Sequence, residues 1–111
     1  MDKRIVLVDL DGVLNFYTGD YVEDYIPPLR EGAREFITEL SLKYNLKLFT
    51  TRNCETAKQW LVVNNLDKYF SEVTNTKKTA WLVIDDRCLT FKGDYTDTLN
   101  QIEKFKPWYK N

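Results

Sequence analysis

Two short apolar runs in this chain end in paired acids: Ile5 to Val8 runs into Asp9-Leu10-Asp11-Gly12, and Ala80 to Ile84 runs into Asp85-Asp86. A third run, Leu46 to Phe49, ends in Thr50 and Thr51, and Lys77 and Lys78 stand shortly before the Ala80 run. Continuous rather than alternating apolar runs are those of parallel strands covered on both faces. Parallel strands place their carboxyl ends along one edge, so such a fold would gather up to four carboxylates, a hydroxyl and a lysine from distant parts of the chain. Carboxylates this close repel, and at least one takes up a proton unless a cation lies among them. A hard divalent ion is the natural resident, and Mg²⁺ suits a few carboxylates, waters and a substrate phosphate. The chain has no histidine. That excludes Ser-His-Asp and Cys-His catalysis and every His-ligated metal site, and leaves acid–base and metal work to carboxylates.

The elements that would position these residues follow from periodicity and punctuation. Ile5 to Val8 reads as a first strand. Residues 15–25, polar and aromatic without a sustained period, read as a loop or small flap. After Pro27 and Pro28, the apolar positions Ala33, Phe36, Ile37 and Leu40 recur at helical spacing, predicting an amphipathic crossover helix from Leu29 to about Lys43. Leu46 to Phe49 is then a second strand, completing a βαβ unit. A second helix is expected from Cys54 to about Asn65, with Asn53 as its N-cap and Ala57, Trp60 and Leu61 inward. A brief third strand is expected at Tyr69 to Val73, and a further one at Ala80 to Ile84 with Trp81 in the core. An edge strand around Leu89 to Phe91 and a last helix over 96–106, stopped by Pro107, complete the expected set. Strands alternating with helices predict an α/β fold, a doubly wound parallel sheet with its ligand site outside the carboxyl ends of the strands.

With that arrangement, Asp9-Leu10-Asp11-Gly12-Val13-Leu14 resembles the DxDG[VT] first motif of the haloacid dehalogenase (HAD) superfamily of hydrolases, and the other motifs follow in order. Thr50 is similar to the second-motif Ser or Thr, Lys77 or Lys78 to the third-motif lysine, and Asp85-Asp86 to the acidic fourth motif, over about residues 4 to 94. Pro27-Pro28, Thr50-Thr51-Arg52 and Ile84-Asp85-Asp86-Arg87 resemble more narrowly the small phage and bacterial members, and the last of these also resembles 5′-deoxynucleotidases.

The resemblance implies a Rossmann-like core, capless or with a minimal flap, and an Mg²⁺-dependent phosphatase. Asp9 would attack phosphorus to form an aspartyl-phosphate, Asp11 would be the acid and base, and Thr50 and the lysine, with Lys77 preferred on spacing to Asp85, would steady the phosphoryl group. Thr51, Arg52 and Lys78 would contact substrate. Asp9, Asp11, Asp85 and Asp86 would hold the metal, Asp11 through its backbone carbonyl and Asp86 more directly than Asp85. The substrate class implied is a phosphomonoester such as a nucleotide or a nucleic-acid end. Two other readings stand beside this one: a phospho-receiver-like signalling module, which would place its acidic pair after the first strand rather than last, and a HAD fold used only for binding.

Size and composition agree with a globular protein. At 111 residues the chain suits one domain, 1–111, and 43% hydrophobic with 30% charged residues is near the globular average. Sixteen basic against seventeen acidic residues give a net charge of −1, too little positive field to hold nucleic acid or an anionic membrane by charge alone. The N-terminal apolar run is too short for a signal or a membrane span, and Cys54 and Cys88 make no CxxC pair, so a cytoplasmic, reducing location without membrane contact is expected. Tyr17, Tyr21 and Tyr25 are left between stacking on a substrate and packing over the sheet edge. Lys104, Lys106 and Lys110, around Trp108, read as a solvated helix end.

Overall fold

The computed structural model describes residues 3–110; residues 1, 2 and 111 of the expected domain lie outside the described residues. Four strands, β1 (Ile5–Asp9), β2 (Asn45–Phe49), β3 (Phe70–Thr74) and β4 (Leu82–Ile84), form one all-parallel sheet in the order β3-β2-β1-β4. Three helices accompany them: α1 (Ala33–Ser41), α2 (Cys54–Val63) and α3 (Tyr95–Lys104). This is the α/β, Rossmann-like doubly wound arrangement expected from the alternation of elements.

The chain winds outward from β1 to β3 and then returns to the far side of β1, so the strand order reverses between β1 and β4. A crevice opens at such a switch point, outside the carboxyl ends of the strands. Register fixes what meets there. Val8 pairs with Ile84, so Asp9 and Asp85 are the next residue on each of the two strands, and Asp9 pairs in turn with Phe49, one residue before Thr50.

The core that holds this edge is aliphatic. Val6, Val8, Leu46 and Leu48 of the central strands pack with Ala33 and Ile37 of α1 and with Ala57 and Leu61 of α2, all of them buried. Leu7, which leaves the sheet on the opposite face by strand alternation, is also fully buried. α2 starts where expected, since the Asn53 side chain accepts from the N–H groups of Glu55 and Thr56 at 2.9 and 3.2 Å.

Several elements differ from their expected bounds, each for a local reason. α1 begins at Ala33 rather than Leu29 because Leu29 makes an antiparallel bridge with Asn15, closing the base of the flap, and Gly32 sits at φ 88°, a left-handed conformation that ends the approach to the helix. Phe36, though at helical spacing, is exposed. β4 is only three residues long and forms the edge of the sheet, because the expected strand at Leu89 to Phe91 does not form. Trp81 therefore lies outside the core. It is 50% exposed, stacked on Tyr44 with centroids 5.4 Å apart, and the Arg4 guanidinium lies over its ring. The expected last helix, 96–106, is Tyr95–Lys104, one residue earlier at its start and two at its end, with the Asp94 carboxylate accepting from the N–H of Asp97. None of its residues is buried.

Replacing Asn53 by Ala should lower stability by about 1 kcal/mol, the usual value of a helix N-cap, read as a shift of the urea midpoint at unchanged slope. An unchanged midpoint would mean that the cap bonds do not hold α2.

Candidate functional site

Three carboxylates meet at the switch point. One oxygen from each of Asp9, Asp85 and Asp86 lies within 4.8 Å of the others. Asp85 is held by a hydrogen bond from the backbone N–H of Arg87 at 2.9 Å. Asp86 is set by close packing: its carboxylate lies against Gly12, whose φ of 84° and missing side chain leave the only room for it, because a Cβ at position 12 would overlap Asp86 Oδ2. That oxygen is buried and has no hydrogen-bond partner among the described residues.

The electrostatics follow from this crowding. Burial, then the charges of Asp85 and Asp86, push the pKa of Asp9 from 3.8 up to about 8. Burial is also the main cause that raises Asp85. A buried acceptor without a donor, beside two carboxylates that resist ionising together, lacks positive charge and oxygen-seeking coordination. A hard divalent cation such as Mg²⁺ fits this donor set, with Asp9, Asp85 and Asp86 able to hold it.

The Asp11 carboxylate is not among these three, although Asp11 lines the same cavity; the hold on a cation expected of it is through its backbone carbonyl. Its carboxylate faces Arg52, which donates from Nε to Oδ2 at 2.7 Å and from Nη2 to Oδ1 at 3.2 Å, and Asn15 Nδ2 donates to Oδ1 at 3.0 Å. Arg52, expected to touch substrate, is 2% exposed and fully committed. Its Nη1 donates to the carbonyls of Val22 and Glu23 in the flap, and its guanidinium lies over the Tyr21 ring at 4.5 Å. A buried guanidinium needs partners, and the flap and Asp11 supply at least one to each of its three nitrogens. Tyr21 accordingly backs Arg52 while lining the cavity.

Thr50 is where the sequence places it. It is 2% exposed, its backbone N–H donates to the carbonyl of Thr74, and its Oγ accepts from the N–H of Arg52, leaving the hydroxyl proton free to donate. Thr50 and Thr51 line a cavity of about 260 Å³ together with Asp9, Asp11, Asp85 and Asp86. A larger hollow of about 430 Å³ lies beside it, sharing Asp85 and Asp86 but bounded by Phe36 and Trp108 and without Asp9 or Thr50.

The two lysines separate. Lys78 pairs with Glu72 at 3.7 Å, a carboxylate that Lys47 also holds at 3.0 Å, so Lys78 is turned toward β3 rather than the acids. Lys77 is exposed and does not line the cavity; the Cys88 thiol is raised chiefly by burial and then by Asp85, Asp9 and Asp86, with Lys77 opposing from nearby. Of the pair, Lys77 is the one on the side of the acids.

Three contributors lie outside the expected site. Asn15, read as the first flap residue, is fully buried, and its Oδ1 accepts from the N–H groups of Gly12 and Tyr17, locking the turn that carries Asp11. Arg87 lines the acid cavity. The C-terminal residues, expected as a solvated helix end, fold back instead. Trp108 Nε1 donates to the carbonyl of Gly12 at 2.7 Å, Arg30 covers the Trp108 ring at 4.2 Å, and Tyr109 meets the edge of Tyr17 with centroids 6.0 Å apart. Asp-Gly followed three residues later by Asn is a turn signal that points to Asn15. No local pattern foretells where the tail lands.

Among solved structures, the chain is similar to a conserved protein coded by a locus of Bacteroides thetaiotaomicron, at 21% identity and a TM-score of 0.62, covering 96% of this chain and 95% of that one. That likeness is one of fold. No protein-family model matches the chain, and no curated protein matches it. Among the described residues no helix is long and apolar enough to cross a membrane.

Without divalent metal, the raised Asp9 value means that the folded chain binds its proton more tightly than the unfolded chain does. Stability from this group is therefore complete below about pH 3.8 and is lost as pH rises through about 8. Metal-free protein should melt at a lower temperature at pH 8 than at pH 6, and Asp9→Asn should flatten that slope; a slope unchanged by the substitution would remove Asp9 as its source. Arg52→Ala should destabilise by roughly 3 kcal/mol, since it leaves the Asp11 carboxylate and two flap carbonyls without their donor. Urea unfolding measures this, and a loss under ~1 kcal/mol would show that the knot is not stabilising.

Proposed function

We propose that this protein is an Mg²⁺-dependent phosphatase of the haloacid dehalogenase type, acting on a phosphomonoester through an aspartyl-phosphate on Asp9. The observation that carries the reading is the meeting of Asp9, Asp85 and Asp86 within 4.8 Å at the strand-order reversal, in a cavity that also holds the Thr50 hydroxyl. The ordered likeness to the four HAD motifs supports it.

In this reading Asp9, Asp85 and Asp86 hold the cation, which when bound would supply the positive charge that keeps Asp9 an anion and balances the phosphate. An oxygen of Asp9 attacks phosphorus as the ester P–O bond breaks, and the leaving oxygen takes a proton from Asp11. The Asp11 carboxylate then accepts a proton from water, the water oxygen bonds to phosphorus, and the Asp9–phosphorus bond breaks to release phosphate, leaving Asp9 again a carboxylate and Asp11 again protonated. Thr50 donates its hydroxyl to a phosphoryl oxygen, and Lys77 supplies further positive charge from the side of Cys88. Arg52 and Asn15 orient the Asp11 carboxylate, so their part is positioning. The flap of residues 15–25 encloses little, which suits substrates that project from the cavity, a nucleotide or nucleic-acid end among them. The protein would work in the cytoplasm.

With millimolar Mg²⁺, the wild-type chain should hydrolyse an aryl phosphate such as p-nitrophenyl phosphate and melt several degrees higher than without metal. Asp9→Asn should lower kcat by at least ~10³-fold with the fold intact by circular dichroism. Turnover that survives this substitution, or a melt indifferent to magnesium, would sink the reading.

A further inference from the structure

A dianionic phosphate that enters a cavity walled by four aspartates meets a charge problem, and the side chains present differ in their freedom to solve it. Arg52 has given Nε and Nη2 to Asp11 and Nη1 to the flap carbonyls. Lys78 is paired with Glu72. Lys77 stands on the acids' side but does not line the cavity, and among the described residues Arg87 is the single basic side chain that does. It is exposed and forms no ion pair with the acids next to it; its guanidinium bonds instead to the neutral Tyr109 hydroxyl, at 3.3 Å.

Tyr109 is itself held in place. Its ring is edge-on to Tyr17 and to Trp108, with centroids 6.0 and 5.4 Å away, and it lies against Gly12 beside Asp86. Trp108 anchors this segment through its bond to the Gly12 carbonyl. α3, which leads into it, buries no residue, so these contacts rather than helix packing bring the tail to the site. A phenol suits this position because it orients a guanidinium without neutralising it, leaving the other donors of the fork for an anion.

We propose that Arg87 is the group that receives the anionic oxygens of the substrate, and that Tyr109, carried in by the docked segment 105–110, is the residue that positions it. The proposal rests on the phosphatase reading and extends it to a part of the chain that the motif resemblance does not reach. It also makes the C-terminal segment a wall of the site.

The test uses the full chain with Mg²⁺, calorimetric titration of inorganic phosphate, and steady-state hydrolysis of p-nitrophenyl phosphate. Arg87→Gln should weaken phosphate binding about ten-fold and raise KM by a like factor, with a much smaller change in kcat, as expected for loss of a charge-assisted bond made to ground and transition state alike. Tyr109→Phe, which keeps the ring contacts and removes only the hydroxyl, should weaken binding ~3-fold. The double variant should match Arg87→Gln alone, because a positioning residue has no effect once its target is gone. All three should melt within about two degrees of the wild type, since Arg87 is exposed and the ring packing stays. Wild-type phosphate affinity in Arg87→Gln would overturn the anion-binding role, and additive losses in the double variant would overturn the positioning role. If the wild-type chain neither binds phosphate nor turns over the ester, the phosphatase reading itself fails and takes this proposal with it.

Discussion

The constraint on which the site depends is mutual repulsion. Asp9, Asp85 and Asp86 are pressed together at the end of two adjacent strands, with Asp9 raised to about 8 and Asp86 Oδ2 buried without a donor. Nothing in the immediate backbone requires this: strands of this kind end in turns that expose their acids to water. Behind the cluster lies the aliphatic layer of Val6, Val8, Leu46 and Leu48, with Ile84 packed against it, while the β1–β4 pairing brings Asp9 and Asp85 to adjacent strand ends. Strain of this kind, held by a well-packed scaffold, is found where side chains are arranged for function, and under the proposed reading a cation would relieve it.

Around that cluster two polar knots decide what each neighbouring side chain is free to do. Arg52 ties Asp11 to the flap, and Asn15 ties Asp11 to its own turn, so the fourth acid lines the same cavity with its carboxylate paired outside the three-acid cluster. Separation of this sort is useful where one carboxylate is to be a nucleophile and metal ligand and another is to move protons, because the two roles require different surroundings. It also gives the flap a reason to stay closed at its base. The antiparallel bridge between Asn15 and Leu29 and the bonds from Arg52 to Val22 and Glu23 make 15–29 a braced loop whose tyrosines back the cavity wall.

The weak side of the fold is its C-terminal third. β4 is short and on the edge, the connection from β3 to β4 contains no helix among the described residues, and α3 buries nothing. Phe91 and Tyr95 stack on each other rather than on the core. The tail compensates through Trp108 and Tyr109, which dock on the Gly12 turn and meet Arg30, Tyr17 and Arg87. Gly12 thus faces two partners, Asp86 within the cluster, which needs it to lack a side chain, and the aromatic tail outside it, which packs close to it.

What the amino-acid sequence by itself determined is the strand-and-helix order and the acids that end each strand. Continuous apolar runs at 5–8 and 46–49, the helical spacing of Ala33, Ile37, Ala57 and Leu61, and the Asn53 cap are local signals, and local signals are what periodicity and propensity record. Thr50, Asp9 and the Asp85-Asp86 pair followed because parallel strands share an edge. Contacts over long separations decided the rest. Whether Asp11 joins the other acids depends on Arg52, 41 residues away, and where the tail settles depends on Trp108 finding Gly12, 96 residues away. Trp81 lies outside the core because a neighbour is missing, the unformed edge strand, and no residue-by-residue pattern encodes a missing neighbour. Side-chain types and spacing state which groups are available for chemistry; only tertiary packing states which of them are already engaged with one another.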